Sequence, residues 1–185
     1  GADVAEGKLR DKPMKVRRTI QTSRPDYSAA VVIEQESGVH VATWHGYLSP
    51  IHYATALAAL GMHYNTAMLV PEINNPGLGV IEHLVRVIGY PNMYVSKMFG
   101  GEQMESGEVC FGWRTTGPTR GILVNRIEEM ISTNQLNTRD RQLAKELRTF
   151  QYDDQGIPRA RGSDKDDLVL ALGLALQGRY ESSVG

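Results

Sequence analysis

The pattern of apolar and polar positions in the first third of the chain predicts a β-hairpin followed by a helix. Residues 27–36 have a β-branched apolar centre, and the turn-forming sequence SGV separates them from a second strand-like segment, 40–48. Ser49 and Pro50 are typical of the cap and the first residue of a helix, which we expect to run to about Tyr64. The predicted buried stripe of this helix consists of Tyr53, Leu57, Leu60 and Tyr64.

The middle of the chain alternates between short apolar segments and helical periodicity. Residues 66–72 predict a strand that ends on Glu72, and residues 93–97 predict another strand. Between these strands, residues 78–88 have helical spacing, while the glycine-rich segment 98–117 is typical of a hairpin. The inner face of the helix is predicted to contain Val80, Leu84 and Val87.

The last third of the chain predicts two further helices, a hairpin and a buried C-terminal helix. Residues 118–132 are amphipathic, Thr138 is expected to cap the next helix, and residues 150–160 predict a hairpin around DDQG. The segment DKDDLVLALGLALQG is apolar nearly all round after its first turn, and such helices lie between other elements. The inward positions of the first helix are predicted to be Ile122, Ile127, Met130 and Ile131.

This order of elements predicts an α/β domain with a mixed sheet, because hairpin pairs are antiparallel and strand–helix–strand connections are parallel. The composition agrees with one soluble domain, with 41% hydrophobic and 22% charged residues in 185. No apolar run approaches the roughly 18 residues that a membrane span needs. Cys110 is the only cysteine, and the five histidines lack metal-binding spacing, so we expect an intracellular protein without a disulfide or a zinc site.

Positive charge is concentrated in one segment. Residues 8–24 carry seven Lys or Arg and one Asp, although the net charge of the whole chain is −1. Such a segment is either a solvated loop or an arm that contacts phosphates, because clustered Lys and Arg bind nucleic acid without reading its sequence. Charge alone leaves the two interpretations equal.

Acidic residues supply the candidate chemistry. Asp3 lies near the start, Glu72 follows an apolar strand, and functional groups in open α/β sheets gather at such strand ends. Asp166 and Asp167 open the last helix, with Asp164 just before them. Acids stabilise a helix N-terminus, but adjacent carboxylates repel one another unless cations hold them. Mg²⁺ or Mn²⁺ would do so, and two such ions can clamp a scissile phosphate and activate water.

Several segments together resemble the nuclease domain of tailed-phage large terminase subunits. They occur in the family's order across nearly the whole chain: GADVAEG, DYSAAVVIEQESGVHVATWHGYLSP, LVPEINNPGLGVIEHL, GYPNMYV and DKDDLVLALGLAL. That family has the ribonuclease H-like fold of retroviral integrases and Holliday-junction resolvases. The resemblance therefore implies a ribonuclease H-like mixed central β-sheet flanked by helices, with an additional β-hairpin, in a single domain over residues 1–185.

The resemblance also implies a two-metal site. In it Asp3 bridges both ions, which would be Mg²⁺ or Mn²⁺, and Glu72 holds one of them. Asp166 or Asp167 holds the other ion, and Asp164 is either an auxiliary ligand or a helix cap. Residues that match supporting positions of the family are Asp26, Asn74 and Gly77. Candidate DNA contacts in basic, glycine-rich or hairpin segments are Lys15, Arg17, Arg18, Arg114, Arg120, Arg159 and Arg161.

The activity that the resemblance implies is endonucleolytic hydrolysis of double-stranded, concatemeric viral DNA, with low sequence specificity, during genome packaging. The family has further residues before the first acid, so we expect a C-terminal fragment of a longer terminase. The family also has only a short link where this chain has the basic segment 8–24, which is either a DNA-gripping arm or a mobile flap. The chain contains no GxxxxGK[ST] phosphate loop, and the packaging ATPase domain is therefore absent from it. The expected partners of the full protein are that ATPase domain, the portal protein and the small terminase subunit. The expected location is the host cell cytoplasm, and no association with a membrane is expected.

Three other functions stay open at the sequence level. A Holliday-junction-resolvase-like nuclease would prefer branched over linear DNA. A non-catalytic DNA-binding or motor-docking module would bind DNA in a salt-sensitive manner without cutting it. An actin-like ATPase would share the acid and glycines of GADVAEG, but such proteins need two domains around a cleft, and 185 residues are too few.

Overall fold

The computed structural model describes residues 1–3, 27–74, 77–96, 110–162 and 164–184, and the side chains up to residue 182. The prediction of Asp26 as a supporting residue lies outside the described residues. So do the predictions of DNA contacts at Lys15, Arg17 and Arg18. Among the described residues, none of the helices is both long enough and apolar enough to cross a bilayer.

A three-stranded antiparallel sheet forms the first part of the fold. It consists of β1 (Ala2–Asp3), β2 (Ser28–Ile33) and β3 (His40–Gly46), in the order β1-β2-β3. The predicted hairpin of β2 and β3 is confirmed, with Gly38 in its turn at a φ of 73°, a backbone conformation that favours glycine. β1 lies along the other edge of β2.

The sheet continues beyond β1 through extended segments that pair by isolated bridges. Residues 69–73 run parallel to β1, with hydrogen bonds from Ala2 N–H to the Val70 carbonyl and from Glu72 N–H to the Ala2 carbonyl, both 3.0 Å. The far side of this segment pairs in parallel with Met93 and with Trp113. The predicted strand at 66–72 is therefore present as residues 69–73, and the sheet has both parallel and antiparallel pairs, as expected for a mixed sheet.

The first two helices follow the prediction up to the middle of the second. α1 (Pro50–His63) begins after Ser49, whose side chain accepts the His52 N–H. α2 (Gly77–Glu82) continues into a π-helix, His83–Ile88. The predicted inner face is correct at Val80 and Leu84, which are fully buried, but wrong at Val87, which is 68% exposed. The wider i→i+5 turn rotates the later positions around the axis, and Val85 packs against the core instead.

α3 (Gly117–Ser132) and α4 (Arg141–Thr149) occupy the predicted places with two corrections. Ile131 is exposed, because the buried face of α3 passes through Met130 and the next residue lies about 100° further round the helix. The cap of α4 is Asp140 and not Thr138. One carboxylate oxygen of Asp140 accepts the N–H groups of residues 142 and 143, which a helix N-terminus leaves free. The buried residues of α3 are Leu123, Val124, Ile127 and Met130.

The last elements that the structure describes are a second hairpin and a helix of 18 residues. β4 (Phe150–Tyr152) and β5 (Pro158–Ala160) pair antiparallel, as predicted, and α5 (Asp167–Val184) follows. α5 is longer than the sequence pattern indicates, and its first ten residues are mostly buried.

The two faces of β2 pack against different helices. Ala29 and Val31 contact α5, while Ala30 contacts α1, because alternate residues of a strand point to opposite faces. The sheet therefore lies between α1 on one side and α5 on the other. This arrangement brings the start of α5 to the face on which Asp3, the neighbour of Ala29, is found.

Candidate active site

Asp3 and Glu72 stand beside each other on neighbouring parallel segments. The hydrogen bond from Glu72 N–H to the Ala2 carbonyl fixes their register, and their side chains interact directly. Glu72 is 9% exposed, an unusual degree of burial for a charged residue. On the other face of the sheet, the Tyr53 hydroxyl of α1 lies 3.2 Å from the Asp3 carbonyl and 2.7 Å from the Ala29 carbonyl. These contacts hold β1 between its two neighbours.

The environment of Asp3 disfavours a negative charge. Burial of the carboxyl group raises its pKa well above the ordinary value of 3.8. The neighbouring Glu72 carboxylate raises the pKa further, followed by the charges of Asp167 and Asp166. Carboxyl groups from three separate parts of the chain therefore lie near enough to Asp3 to act on it electrostatically.

The start of α5 contributes the third part of this cluster. Asp167 is the first residue of the helix, and the Asp166 carbonyl just before it accepts the Leu170 N–H at 2.9 Å. Asp164 is exposed in the turn that precedes the helix. Asp166 and Asp167 both act on Asp3 electrostatically, so the predicted pair lies within reach of β1, while Asp164 is further out on the surface.

Asn74 and Gly77 support the loop that follows Glu72. The Asn74 amide donates to the Glu72 carboxylate at 3.1 Å and to the Thr115 carbonyl at 2.8 Å. The Asn74 carbonyl accepts the N–H of Gly77, which is buried at the beginning of α2. Asn74 therefore orients the Glu72 side chain and connects it to the residues that precede α3.

Glu146 of α4 is a buried acid at this site that the sequence analysis missed. It is 3% exposed and accepts the Leu168 N–H at 2.9 Å and the Gln142 side-chain amide at 3.0 Å. Burial raises the pKa of Glu146, while these hydrogen bonds and the nearby His45 act in the opposite direction. The Glu146 carboxylate therefore caps the N-terminus of α5 at Leu168, the residue that follows Asp167. In the sequence it has the ordinary pattern of a polar residue on an amphipathic helix, which gives no signal of this contact.

His45 of β3 is the second missed residue. Its Nε2 atom lies 3.9 Å from Oδ2 of Asp167, and its side chain is 29% exposed. The five histidines have no metal-binding spacing along the sequence, so none of them stands out there. The signal was the register of the hairpin, since His45 pairs with Ala29, which in turn pairs with Asp3.

The described arginines among the predicted DNA contacts have different surroundings. Arg114 is exposed and follows Trp113, the residue that pairs with Glu72. Arg161 is exposed just after the second hairpin. Arg159 forms an ion pair with Asp153 across that hairpin. Arg120, the fourth of them, forms an ion pair with Asp166, the residue just before α5.

The cluster provides ligands of the right chemistry for a hard divalent cation. Asp3, Glu72 and the two acids at the start of α5 present carboxylate oxygens, which Mg²⁺ and Mn²⁺ favour. The raised pKa of Asp3 indicates a concentration of negative charge, which a bound cation would neutralise. Among the residues described by the structure, no three side chains of His, Cys, Asp or Glu are gathered tightly enough to enclose an ion. The residues that could hold a metal are Asp3, Glu72, Asp166 and Asp167.

Similar solved structures include crystal structures of the large terminase nuclease from thermophilic phage G20c. The magnesium-bound structure has a TM-score of 0.65 and 20% identity, over 82% of this chain and 74% of that chain. Another has a TM-score of 0.64 and 18% identity, over 96% and 79%. The cobalt-bound structure has a TM-score of 0.64 and 19% identity, over 82% and 74%. No family model and no curated relative matches the sequence.

The chain therefore has the fold of large terminase nuclease domains, a ribonuclease H-like mixed α/β fold. This confirms the fold class expected from the sequence, and it confirms the resemblance at the level of fold. A fold does not carry an activity with it.

Proposed function

We propose that this domain is a metal-dependent endonuclease that cleaves double-stranded DNA with low sequence specificity. The observation that carries the proposal is the convergence of Asp3, Glu72 and the two acids at the start of α5 on one side of the sheet. These residues come from distant parts of the chain. The packing of the apolar faces of the helices and the sheet does not require these acidic side chains to lie close together. Solved nucleases of the same fold contain bound magnesium and cobalt.

We assign the metal ligands by position. Asp3 is central, with Glu72 on one side and the α5 acids on the other, so Asp3 would contact both of two ions. Glu72 would hold one ion, with its carboxylate oriented by Asn74. The α5 acids would hold the other ion. Two Mg²⁺ or Mn²⁺ ions bound there would supply an activated water and stabilise the charge that develops on the scissile phosphate.

The proposed substrate is the DNA backbone. Arg114 and Arg161 are exposed and could contact phosphates, and Arg159 could do so by exchanging its contact with Asp153. Phosphate contacts give affinity without sequence information, which agrees with indiscriminate cutting. We further propose that the natural substrate is concatemeric viral DNA. In this proposal the domain works in the host cell cytoplasm beside a terminase ATPase domain, a portal protein and a small terminase subunit.

A plasmid digestion tests the proposal. Wild-type protein should nick and linearise supercoiled plasmid with Mn²⁺ or Mg²⁺ and should be inactive in EDTA. Asp3→Ala should lose at least a hundredfold in rate, because the ligand shared by both ions is removed. The matched control is Asp154→Ala, since Asp154 is an exposed acid in the β4–β5 turn, and it should retain wild-type activity. A fully active Asp3→Ala protein, or equal cutting in EDTA, refutes the assignment.

The same assay distinguishes the other functions. A resolvase-like nuclease would cut a four-way junction much faster than linear duplex of the same sequence. A non-catalytic DNA-binding module would retard DNA in a salt-sensitive manner but would cut neither substrate at any Mn²⁺ concentration.

A further inference from the structure

Arg120 and Asp166 form an ion pair at the edge of the acidic cluster. Nη2 of Arg120 donates to Oδ2 of Asp166 at 2.5 Å, and Nε of the same guanidinium donates to the Pro158 carbonyl at 2.8 Å. The two side chains are only 20% and 23% exposed. A charged pair with this little exposure to water is held more firmly than a surface pair, because solvent competes less for its hydrogen bonds.

The guanidinium connects three elements that are distant in the sequence. Arg120 belongs to α3, Pro158 to β5, and Asp166 immediately precedes α5. The ring of Phe150, in β4, lies 6.0 Å from the guanidinium carbon and completes its surroundings. The fixed fork of arginine can satisfy two acceptors at once, which the ammonium group of lysine cannot do with the same geometry.

This contact gives the two adjacent acids different surroundings. Asp166 faces a cation that belongs to the protein, while Asp167 lies beside His45 and exerts the stronger electrostatic effect on Asp3. A carboxylate that is already paired with an arginine is a poorer ligand for a metal ion, because the ion would have to displace that charge-assisted hydrogen bond.

We propose that Arg120 is a positioning residue of the acidic site: it holds Asp166, and with it the start of α5, so that Asp167 faces Asp3 and Glu72 as the third metal ligand. The inference rests on the proposed function, because positioning matters only if the acids bind a metal. It gives Arg120 a task other than the DNA contact expected from the sequence. A phosphate-binding arginine and a positioning arginine differ in what their loss changes.

Metal binding and catalysis should both report the positioning role. In Mn²⁺ titrations by calorimetry without DNA, we expect Arg120→Gln and Asp166→Asn to weaken binding about 10–100-fold, the usual cost of losing a residue that orients a ligand. Asp167→Asn should abolish binding of the second ion, which is the ion not held by Glu72. In plasmid cleavage, Arg120→Gln should lower kcat by a similar factor with KM for DNA unchanged. Arg120→Lys should recover part of the loss, because it restores the charge without the fork.

A double variant identifies the route of the effect. If Arg120 acts through Asp166, Arg120→Gln combined with Asp166→Asn should be no worse than the more damaged single variant. The matched control is Arg126→Gln, since Arg126 lies on the same helix, is similarly buried and stacks on Tyr180 of α5 far from the acids. We expect that control to leave Mn²⁺ affinity and kcat unchanged.

Three results would overturn the inference. One is wild-type Mn²⁺ affinity and kcat in Arg120→Gln. Another is a loss of DNA affinity in Ca²⁺ with a shallower salt dependence, which would make Arg120 a phosphate contact. The third is an Asp166→Asn protein that binds no second ion while Asp167→Asn does. If wild-type protein binds Mn²⁺ but cuts no DNA, the proposed function fails while the calorimetric comparison still decides the role of Arg120.

Discussion

Asp3 and His45 lie in one row across the sheet, because both are paired with Ala29, Asp3 from one side and His45 from the other. Ala29 is fully buried and belongs to the cluster that packs against the first turn of α5. Its small side chain lets the start of that helix approach the sheet between the two polar residues. This explains why Asp167 interacts with His45 on one side and with Asp3 on the other.

The acidic cluster should destabilise the metal-free protein. Burial and the neighbouring carboxylates raise the pKa of Asp3, so folding at neutral pH has to bury either its charge or an additional proton, and both oppose folding. We expect Asp3→Asn to have a higher Tm than wild type in EDTA at pH 7. The expected rise is about 2–4 °C for each kcal/mol of repulsion removed, the usual scale for a chain of this size. Differential scanning calorimetry of both proteins measures the difference.

Adding metal should reverse that order. A ligand that binds only the folded state at 100 times its Kd stabilises it by about 2.7 kcal/mol, so wild type should gain several degrees in Mg²⁺ while Asp3→Asn gains little. Asp154→Ala should behave as wild type in both buffers. An Asp3→Asn protein that is less stable than wild type in EDTA would mean that Asp3 contributes to the fold and not to a strained metal site.

The raised pKa of Asp3 also predicts the direction of a pH dependence. The folded protein keeps the Asp3 proton to a higher pH than the unfolded chain does, so folding is coupled to proton uptake in this range. The contribution of Asp3 to the free energy of unfolding should therefore fall as the pH rises from about 3.8 through the raised pKa.

Urea denaturation in EDTA at several pH values measures this contribution. Subtracting the free energy of unfolding of Asp3→Asn from that of wild type cancels, to a first approximation, the contributions of the other titrating groups. This difference should become less favourable to wild type as the pH rises from 5 to 7. A difference that stays constant over this range contradicts a raised pKa at Asp3.

Glu146 should matter both for stability and for metal binding. Glu146→Ala leaves the Leu168 N–H and the Gln142 amide without their acceptor in a buried place, which typically costs about 1–3 kcal/mol. Urea denaturation should show this loss, and the freed start of α5 should also bind Mn²⁺ more weakly. Glu82→Ala is the matched control, because Glu82 is an exposed helical acid, and we expect it to change stability by less than 0.5 kcal/mol. Unchanged stability in Glu146→Ala would show that it does not cap α5.

Most of the elements were predictable because their signals are local. Ser49 and Pro50 mark the start of α1 within two residues, and the apolar run after Asp167 marks α5. The acidic set was expected from its positions at a strand end and at a helix start, and from a resemblance whose motifs include its members. Glu146 could not be expected in this way, since its partner Leu168 is 22 residues away and helical periodicity carries no information about such a contact.

The prediction for the π-helix was wrong for a different reason. A helix was expected at this place, and only the positions that face the core in its second half were predicted incorrectly. The period of 3.6 residues that identifies an inner face fails once the backbone changes to i→i+5 bonding. Val87 and Ile88 are therefore exposed, although the pattern predicts Val87 inside. The same rotation leaves a partly apolar surface on this segment.

A pair of substitutions tests the phase of that segment directly. Leu84 is fully buried and Val87 is 68% exposed, although both belong to the π-helix and the sequence pattern predicts both inside. Leu84→Ala should lower the free energy of unfolding by about 2–5 kcal/mol, because it opens a cavity in the core. Val87→Ala should change it by less than 0.5 kcal/mol. Urea denaturation of both proteins measures the contrast, and equal losses would mean that a regular α-helix continues to residue 88.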